Sequence, residues 1–139
     1  MPLHLDDIDR QIVAALVDNG RLPNNVLAER LGIAASTCLA RTRALVDRGV
    51  IRGFHADVNY PRLGDLQAVI SVRVRPNARP SLSELGRRLA REQGVLSVFF
   101  VAGAFDFMIH VVARDTEGLR EFVVHALSAN AEIESTQTS

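Results

Sequence analysis

Residues 27–37 read Leu-Ala-Glu-Arg-Leu-Gly-Ile-Ala-Ala-Ser-Thr, and this stretch decides the fold of the first part of the chain. Its leucines repeat at helical spacing, and Gly32 follows at the position where a helix often ends in a left-handed residue. A short turn of small and apolar residues comes next, and Ser36 and Thr37 stand at the start of a new helix that is expected to reach about residue 48. The pattern predicts a helix-turn-helix.

The second helix of this pair has one apolar side and one polar side. Cys38, Thr42 and Leu45 fall at i, i+4 and i+7, so this stripe is expected to pack inward. A helix that lies in a DNA major groove needs outward residues that are short or that hydrogen-bond to bases and phosphates. The candidate DNA-binding residues are Ser36, Thr37, Ala40, Arg41, Arg43 and Ala44. A charged helix face is most often only solvated, but here the glycine, the small-residue turn and a positive local charge coincide.

Charge is distributed unevenly around this motif. The whole chain of 139 residues has a net charge of zero, which argues against a protein that coats nucleic acid indiscriminately. Residues 30–55 nevertheless carry five arginines and one acid, whereas residues 1–29 carry two arginines and five acids. The basic part coincides with the second helix of the motif, which favours a local contact with double-stranded DNA.

The sequence also bears on the cellular compartment of the protein. No apolar run reaches the roughly 18 residues that a membrane-spanning helix needs. Residues 1–10, MPLHLDDIDR, lack the basic and then apolar pattern of a secretory signal. The single Cys38 cannot form an internal disulfide, which fits a reducing environment. We expect a cytoplasmic protein with no membrane partner.

Outward from the motif, the first domain is expected to be helical and small. A helix over residues 6–19 begins with Asp6, Asp7 and Asp9, which suit the positive end of a helix dipole. Residues 50–51 and 54–58 are predicted to be short extended segments, and a turn near Tyr60 and Gly64 follows. We place a helix-turn-helix domain with a short linker strand at residues 1–60, and a second domain at residues 61–139.

In the second domain the spacing of apolar residues changes from that of a helix to that of a strand. Alternation predicts strands over residues 66–75, 95–102, 105–113 and 133–139. Helices are predicted over residues 116–129 and after Ser81, which forms an S-x-x-E capping box with Glu84. The order is βαββαβ, the ferredoxin-like arrangement, so the fold class is α+β. Val69 and Val72 lie on opposite faces of the first strand, which favours a homodimer.

The loop between the two central strands holds a G-x-x-D pattern. Gly103 allows a positive φ and a close approach of a ligand, and Asp106 could accept hydrogen bonds from an ammonium group. Taken from these residues alone, an ordinary hairpin turn with a solvated aspartate is the more common structure. Both interpretations stay open at this point.

The chain as a whole resembles the Lrp/AsnC (feast/famine) regulators. The resemblance is carried, in order, by residues 5–13, 19–21, 27–32, 38–45, 49–54, 63–64, 101–107 and 136–138. It implies a winged-helix-like N-terminal domain, a βαββαβ effector domain, dimers through the sheets and often octamers, and a ligand that is often an amino acid. It also implies that Gly103, Ala104 and Asp106 form the effector-binding loop, with Thr136 and Thr138 lining the same interface.

Three positions depart from the family pattern. Ala34 stands where a serine usually caps the second helix of the motif, so that helix start is expected to be less well capped. Thr42 replaces a branched aliphatic residue in the inward stripe. The sequence ends at Ser139, where family members usually continue the last strand, so a clipped strand is expected.

Two other functions compete with a ligand-responsive DNA-binding transcriptional regulator. Siroheme decarboxylases resemble this two-part architecture and use histidine and arginine near a tetrapyrrole. Here His110 falls within a predicted strand and His125 within a predicted helix, and a lone histidine in a strand is more often a core or surface residue than a catalyst. The sequence has no Ser-His-Asp set, paired carboxylates, CxxC, HExxH or phosphate loop, so we expect no enzyme, cofactor or metal. A nucleoid-organising DNA binder without an effector would share the first domain and differ only in the G-x-x-D pocket.

Overall fold

The computed structural model describes residues 4–139, which form two compact units. The first unit ends at Asp57 and the second is Val58–Ser139, so the division falls three residues before the boundary expected from the sequence. Each unit has a hydrophobic core of its own. Within this part of the chain, no helix is long and apolar enough to cross a membrane.

Three helices make up the first unit: α1 (Asp7–Asp18), α2 (Asn24–Leu31) and α3 (Ala35–Asp47). Gly32 ends α2 in the left-handed conformation, with φ of 67°, as its position after a helix predicts. Both Cys38 and Leu45 of the inward stripe are buried, and the hydroxyl of Thr42 between them donates to the Cys38 carbonyl at 2.9 Å. The predicted helix-turn-helix is therefore confirmed, together with the side of α3 that faces the core.

The starts of α1 and α3 differ in how they are capped. Asp6 and Asp9 form a complete capping box at α1, in which the Asp6 side chain accepts from the Asp9 backbone at 2.8 Å. Ala34 precedes α3 with φ of −65° and ψ of 145° and offers no side-chain acceptor. The sequence predicted the second feature and, for the first, only a favourable charge.

The expected extended segments at 50–51 and 54–58 are not strands, so the predicted linker strand is wrong for this chain taken alone. The backbone N–H groups of Val50 and Ile51 both donate to the Leu45 carbonyl, so these residues cap the end of α3 instead. Residues 52–58 have no neighbouring strand among the residues that the structure describes. A strand needs a partner for its hydrogen bonds, and β-branched composition does not supply one.

The second unit is a four-stranded antiparallel sheet with helices on one face. The strands are β1 (Leu66–Val74), β2 (Val95–Phe100), β3 (Phe107–Ala113) and β4 (Ile133–Thr138), in the spatial order β2-β3-β1-β4. The helices are α4 (Leu82–Ala90) and α5 (Thr116–Phe122). Their apolar residues pack against the even-numbered positions of β1 and the odd-numbered positions of β3. The predicted βαββαβ order is confirmed.

Two local predictions in this unit need correction. Ser81 does precede α4, but its side chain makes no capping hydrogen bond, because a 3₁₀ turn (Pro76–Ser81) runs directly into the helix. Ser81 has φ of −101° and ψ of 19°, which is not the extended backbone from which a cap side chain accepts from the second or third N–H of the helix. The predicted helix over residues 116–129 changes after α5 into a π-helical turn (Val123–Ser128).

Candidate functional site

The outward face of α3 presents most of the predicted DNA-binding residues. Ser36, Thr37, Ala40 and Arg43 are exposed, and Ala44 is half-buried. Arg43 makes no ion pair with any residue that the structure describes, so its guanidinium is available to a phosphate or a base. The start of α3 is joined to α2, because the side-chain amide of Asn24 donates to the Ala35 carbonyl at 2.8 Å.

Arg41 differs from its neighbours on α3. Its Nη1 lies 2.5 Å from an Asp6 oxygen and 3.4 Å from an Asp9 oxygen, so it pairs with the start of α1. The Arg41 guanidinium, followed by the backbone N–H of Asp9, holds the pKa of the Asp6 carboxyl below its ordinary value. The sequence placed Arg41 beside Arg43 as a DNA contact, and the structure separates the two by giving Arg41 partners inside its own unit.

The G-x-x-D loop joins β2 to β3 and is open at its glycine. Gly103 has φ of 113°, and an added Cβ would meet nothing within 4 Å. The next residue, Ala104, is exposed, and its carbonyl accepts from Arg73 Nε at 2.8 Å. The Arg73 guanidinium also lies 5.7 Å from the ring centre of Phe105. Arg73, which belongs to β1, therefore contacts the loop through both residues, while the space beside Gly103 is open.

Asp106 is neither solvated nor free. It is 9% exposed, and its Oδ2 accepts from the Val74 backbone N–H at 2.8 Å. Arg79 Nη2 lies 3.6 Å from the other carboxylate oxygen. The backbone N–H of Asp106 donates to the Val72 carbonyl at 2.8 Å. The carboxylate thus fixes the loop to β1. Neither of the two interpretations of the sequence, a solvated aspartate in a turn or an aspartate that binds a ligand, predicted this role.

Thr136 and Thr138 lie on the edge strand β4, apart from the loop. Thr136 is opposite Val72, which in turn is opposite Phe107, so these three residues form one row across the sheet. Adjacent strands are about 4.8 Å apart, which separates Thr136 from the loop end of β3 by about 10 Å. Thr136 is half-buried and Thr138 is exposed. Thr138 is opposite Ile70, two residues farther from the loop, so the chain alone does not bring the two threonines and Asp106 together.

A cleft of about 680 Å³ lies at the other end of β3, where the sequence predicted nothing. Its floor is apolar, and its polar rim contains the side chains of Asp65, Glu92, Gln93, Arg114, Glu121 and His125. Gly94 is required there, because a Cβ would lie 2.7 Å from the Val112 carbonyl oxygen. The only signals in the sequence were this glycine and Gly118, and neither identifies a cleft.

The two histidines of the competing enzyme hypothesis are far from forming a catalytic set. His110 Nε2 is 2.8 Å from the side-chain oxygen of Gln67 on the next strand. His125 is exposed in the π-helical turn, on the rim of the cleft. Within residues 4–139 no group of three or more histidine, cysteine or acidic side chains is placed to hold a metal ion.

Comparison with known proteins identifies the family. Residues 5–52 match the winged helix-turn-helix DNA-binding family, and residues 67–139 match the Lrp/AsnC ligand binding domain. The HTH-type transcriptional regulator AldR of Mycobacterium tuberculosis is 49% identical over 139 residues, covering 99% of this chain and 78% of AldR. The leucine-responsive regulatory protein of Rhizobium meliloti is 36% identical over 137 residues, covering 98% of this chain and 90% of that protein. The chain belongs to the Lrp/AsnC family of transcriptional regulators.

Solved structures agree with this assignment. The crystal structure of AldR has a TM-score of 0.89 at 46% identity, covering 97% of this chain and 92% of that chain. A transcriptional regulator from Neisseria meningitidis, solved as a complex with L-methionine, has a TM-score of 0.74 at 31% identity, covering 98% and 88%. The predicted fold is confirmed, and the protein is a DNA-binding regulator with a ligand-binding domain. Its relatives are transcriptional regulators, which confirms the prediction that it is not an enzyme.

Proposed function

We propose that this regulator binds operator DNA through the outward face of α3, as a homodimer that also assembles into octamers in the cytoplasm. In this proposal an amino acid bound at the 103–106 loop changes how the subunits associate. The observation that carries the proposal is the construction of that loop. The space beside Gly103 is open, while hydrogen bonds of Asp106 and Arg73 fix the loop to β1.

Direct DNA contact is assigned to Ser36, Thr37, Ala40, Arg43 and Ala44. Ser36, Ala40 and Arg43 lie on the side of α3 away from the buried Cys38 and Leu45, which is the side that a groove would accept, and the other two lie beside them. Dimer formation places two such helices on two half-sites, about one helical turn of DNA or a multiple apart.

The sheet face without helices supports self-association. Phe99 and Met108 are opposite each other on β2 and β3, and they are 57% and 38% exposed. Half-buried Val69 lies on the same face of β1. An apolar surface of this kind is seldom left uncovered in a soluble protein, and a second copy of the sheet would cover it.

The ligand proposal rests on loop geometry and on the relatives. The Neisseria regulator was solved with L-methionine, so an amino acid is the proposed ligand class here. Asp106 retains acceptor capacity beyond its bonds to Val74 and Arg79, and it can also accept from a ligand ammonium group. Thr136 and Thr138 lie too far from this loop to share a small ligand within one chain, so we assign them to the loop of a neighbouring subunit.

The test is a thermal-shift screen of the standard amino acids, followed by DNA-binding titrations with the best ligand. A ligand that binds only the native state raises the melting temperature. At a ligand concentration of a hundred times Kd, it stabilises the native state by about 2.7 kcal/mol. Gly103→Leu fills the open side of the loop and should raise the ligand concentration needed for half-maximal response at least tenfold. Gly64→Leu is the matched control, since Gly64 also has a positive φ and open space around its Cβ position.

Two further variants separate the competing outcomes. Asp106→Ala should abolish the ligand response while DNA binding without ligand survives. Glu121→Ala, on the rim of the cleft, should leave the response unchanged. A response lost in Glu121→Ala and kept in Gly103→Leu would move the ligand site to the cleft. No stabilisation by any amino acid would instead support a DNA binder without an amino-acid effector.

A further inference from the structure

Two arginines on one side of α3 contact the segment that precedes and begins α1. Arg41 pairs with Asp6 and Asp9, and Arg48 Nη2 lies 3.3 Å from the His4 carbonyl oxygen. Arg41 lies in α3, and Arg48 directly follows its last residue. The two are seven positions apart, which is close to two helical turns and places them on the same side of the helix axis. Arg43 is two positions from Arg41 and is therefore turned by about 200° around the helix axis.

Asp6 and Asp9 divide their oxygens between the two helices. Asp6 Oδ1 accepts from the Asp9 backbone at 2.8 Å, and Asp6 Oδ2 binds Arg41. Asp9 Oδ2 accepts from the Asp6 backbone at 3.4 Å, and Asp9 Oδ1 lies 3.4 Å from Arg41. In each carboxylate, one oxygen caps α1 and the other holds α3.

This division makes the ion pair more rigid than an ordinary surface pair. An isolated exposed pair is weak, because two long side chains must be ordered to form it. Here both carboxylates are already ordered by the capping box, and Asp9 is half-buried. Two carboxylates around one guanidinium also cancel its positive charge locally, which leaves little attraction for a phosphate.

We propose that Asp6, Asp9 and Arg41 form a bracket that fixes the direction of α3 relative to α1, and that Arg41 is a positioning residue and not a phosphate contact. The inference builds on the proposed DNA-binding face of α3. The bracket keeps Ser36, Ala40 and Arg43 at a set angle to the DNA. Its loss reduces discrimination between sequences more than it reduces attraction to DNA in general.

The experiment compares Arg41→Gln, Asp6→Asn, their double variant and Arg43→Gln in the full chain. Asparagine is as good a helix cap as aspartate, so Asp6→Asn removes the shorter of the two Arg41 ion pairs, leaves the one with Asp9, and keeps the start of α1. Affinity is measured for a duplex selected from random sequences by the wild-type protein and for a scrambled duplex. Both are titrated between about 50 and 200 mM salt, because each lost phosphate contact changes the logarithmic salt slope by about 0.9.

The bracket predicts that Arg41→Gln lowers affinity for the selected duplex about fivefold, changes affinity for the scrambled duplex little and keeps the salt slope. Asp6→Asn should cost a similar factor alone and almost nothing in the Arg41→Gln background. Should Arg41→Gln fold poorly, the selected-to-scrambled ratio of Asp6→Asn decides the question. It should fall about fivefold under this proposal, and an unchanged ratio rejects the bracket.

Other outcomes have equally definite meanings. If Arg41→Gln weakens both duplexes alike and reduces the salt slope by about 0.9, Arg41 contacts phosphate and the bracket is wrong. If Asp6→Asn and Arg41→Gln show independent losses, the pair does not act as a unit. Arg43→Gln tests the DNA-binding face separately, since unchanged affinity in that variant rejects the proposed face and not the bracket.

Discussion

The outward face of α3 and the 103–106 loop were both assigned to function from sequence, yet they are built in opposite ways. On α3 the charged group of Arg43 is exposed and has no ion-pair partner within residues 4–139. In the loop the charged group of Asp106 is buried and already bonded to β1. Replacing a residue of the first kind should change the stability of the fold little, whereas replacing a residue of the second kind should change it whether or not that residue also contacts a ligand. Each site therefore needs its stability and its binding measured separately.

The largest expected effect on stability comes from Asp106→Ala. The change leaves the buried N–H of Val74 without its acceptor and removes the partner of Arg79, so unfolding should be easier by about 1–3 kcal/mol. Urea unfolding at neutral pH measures this. Asp106→Asn, which keeps an acceptor for Val74, is the control and should lose less. An unchanged midpoint for the alanine variant would mean that the bonds of Asp106 to Val74 and Arg79 do not stabilise the fold.

Arg43→Ala tests the other side of the comparison. Its unfolding curve should match that of the wild type to within about 0.5 kcal/mol, because an exposed side chain without a partner is removed. Operator affinity should fall by roughly 1–3 kcal/mol, with relaxed preference at one base pair if the contact is to a base. Gel-shift titration of the selected duplex and its single-base variants provides the measurement. A loss of stability with unchanged affinity would reverse the contrast between the two sites.

The smallest effect belongs to Ala34→Ser, which should add stability. Ala34 already has the extended backbone of a cap residue but offers no side-chain acceptor to the first turn of α3. A serine hydroxyl there can accept from that turn, for a gain of about 0.5–1 kcal/mol. Thermal unfolding of the full chain records it, and Ala14→Ser, in the interior of α1, serves as a control that should be neutral or slightly destabilising. A matching gain in both variants would show that capping is not its cause.

Periodicity explains why the buried and exposed sides of α3 were predicted correctly. The buried or exposed state of Cys38, Leu45, Ser36 and Arg43 follows from their spacing on one helix. The contacts of Asp106 involve Val74 and Arg79, which are about 30 positions away and belong to other elements. No local pattern reports such a contact. The same is true of Arg41, whose partners lie more than 30 positions earlier in the chain.

Predictions from local sequence patterns also failed where the surrounding structure did not provide the conformation or the partner that the pattern requires. Ser81 and Glu84 have the spacing of a capping box, but Ser81 ends the 3₁₀ turn before α4 and does not have the extended backbone of a cap. Asp6 and Asp9 form the box that is present, with an acid in place of the usual serine or threonine. The segment 50–58 has strand-like residues and lacks a partner strand within residues 4–139. In these cases the sequence indicated which local structure a residue favours, and contacts with the rest of the fold determined whether that structure formed.

The position of Cys38 has a practical consequence. It is the only cysteine of the chain, it is fully buried, and it belongs to the core of the first unit alone. A thiol reagent can therefore modify the native protein only when that unit opens. The rate of labelling under native conditions would report the opening free energy of the DNA-binding unit by itself, without any engineered probe. Adding operator DNA or an amino acid during labelling would then show which of the two ligands the first unit senses.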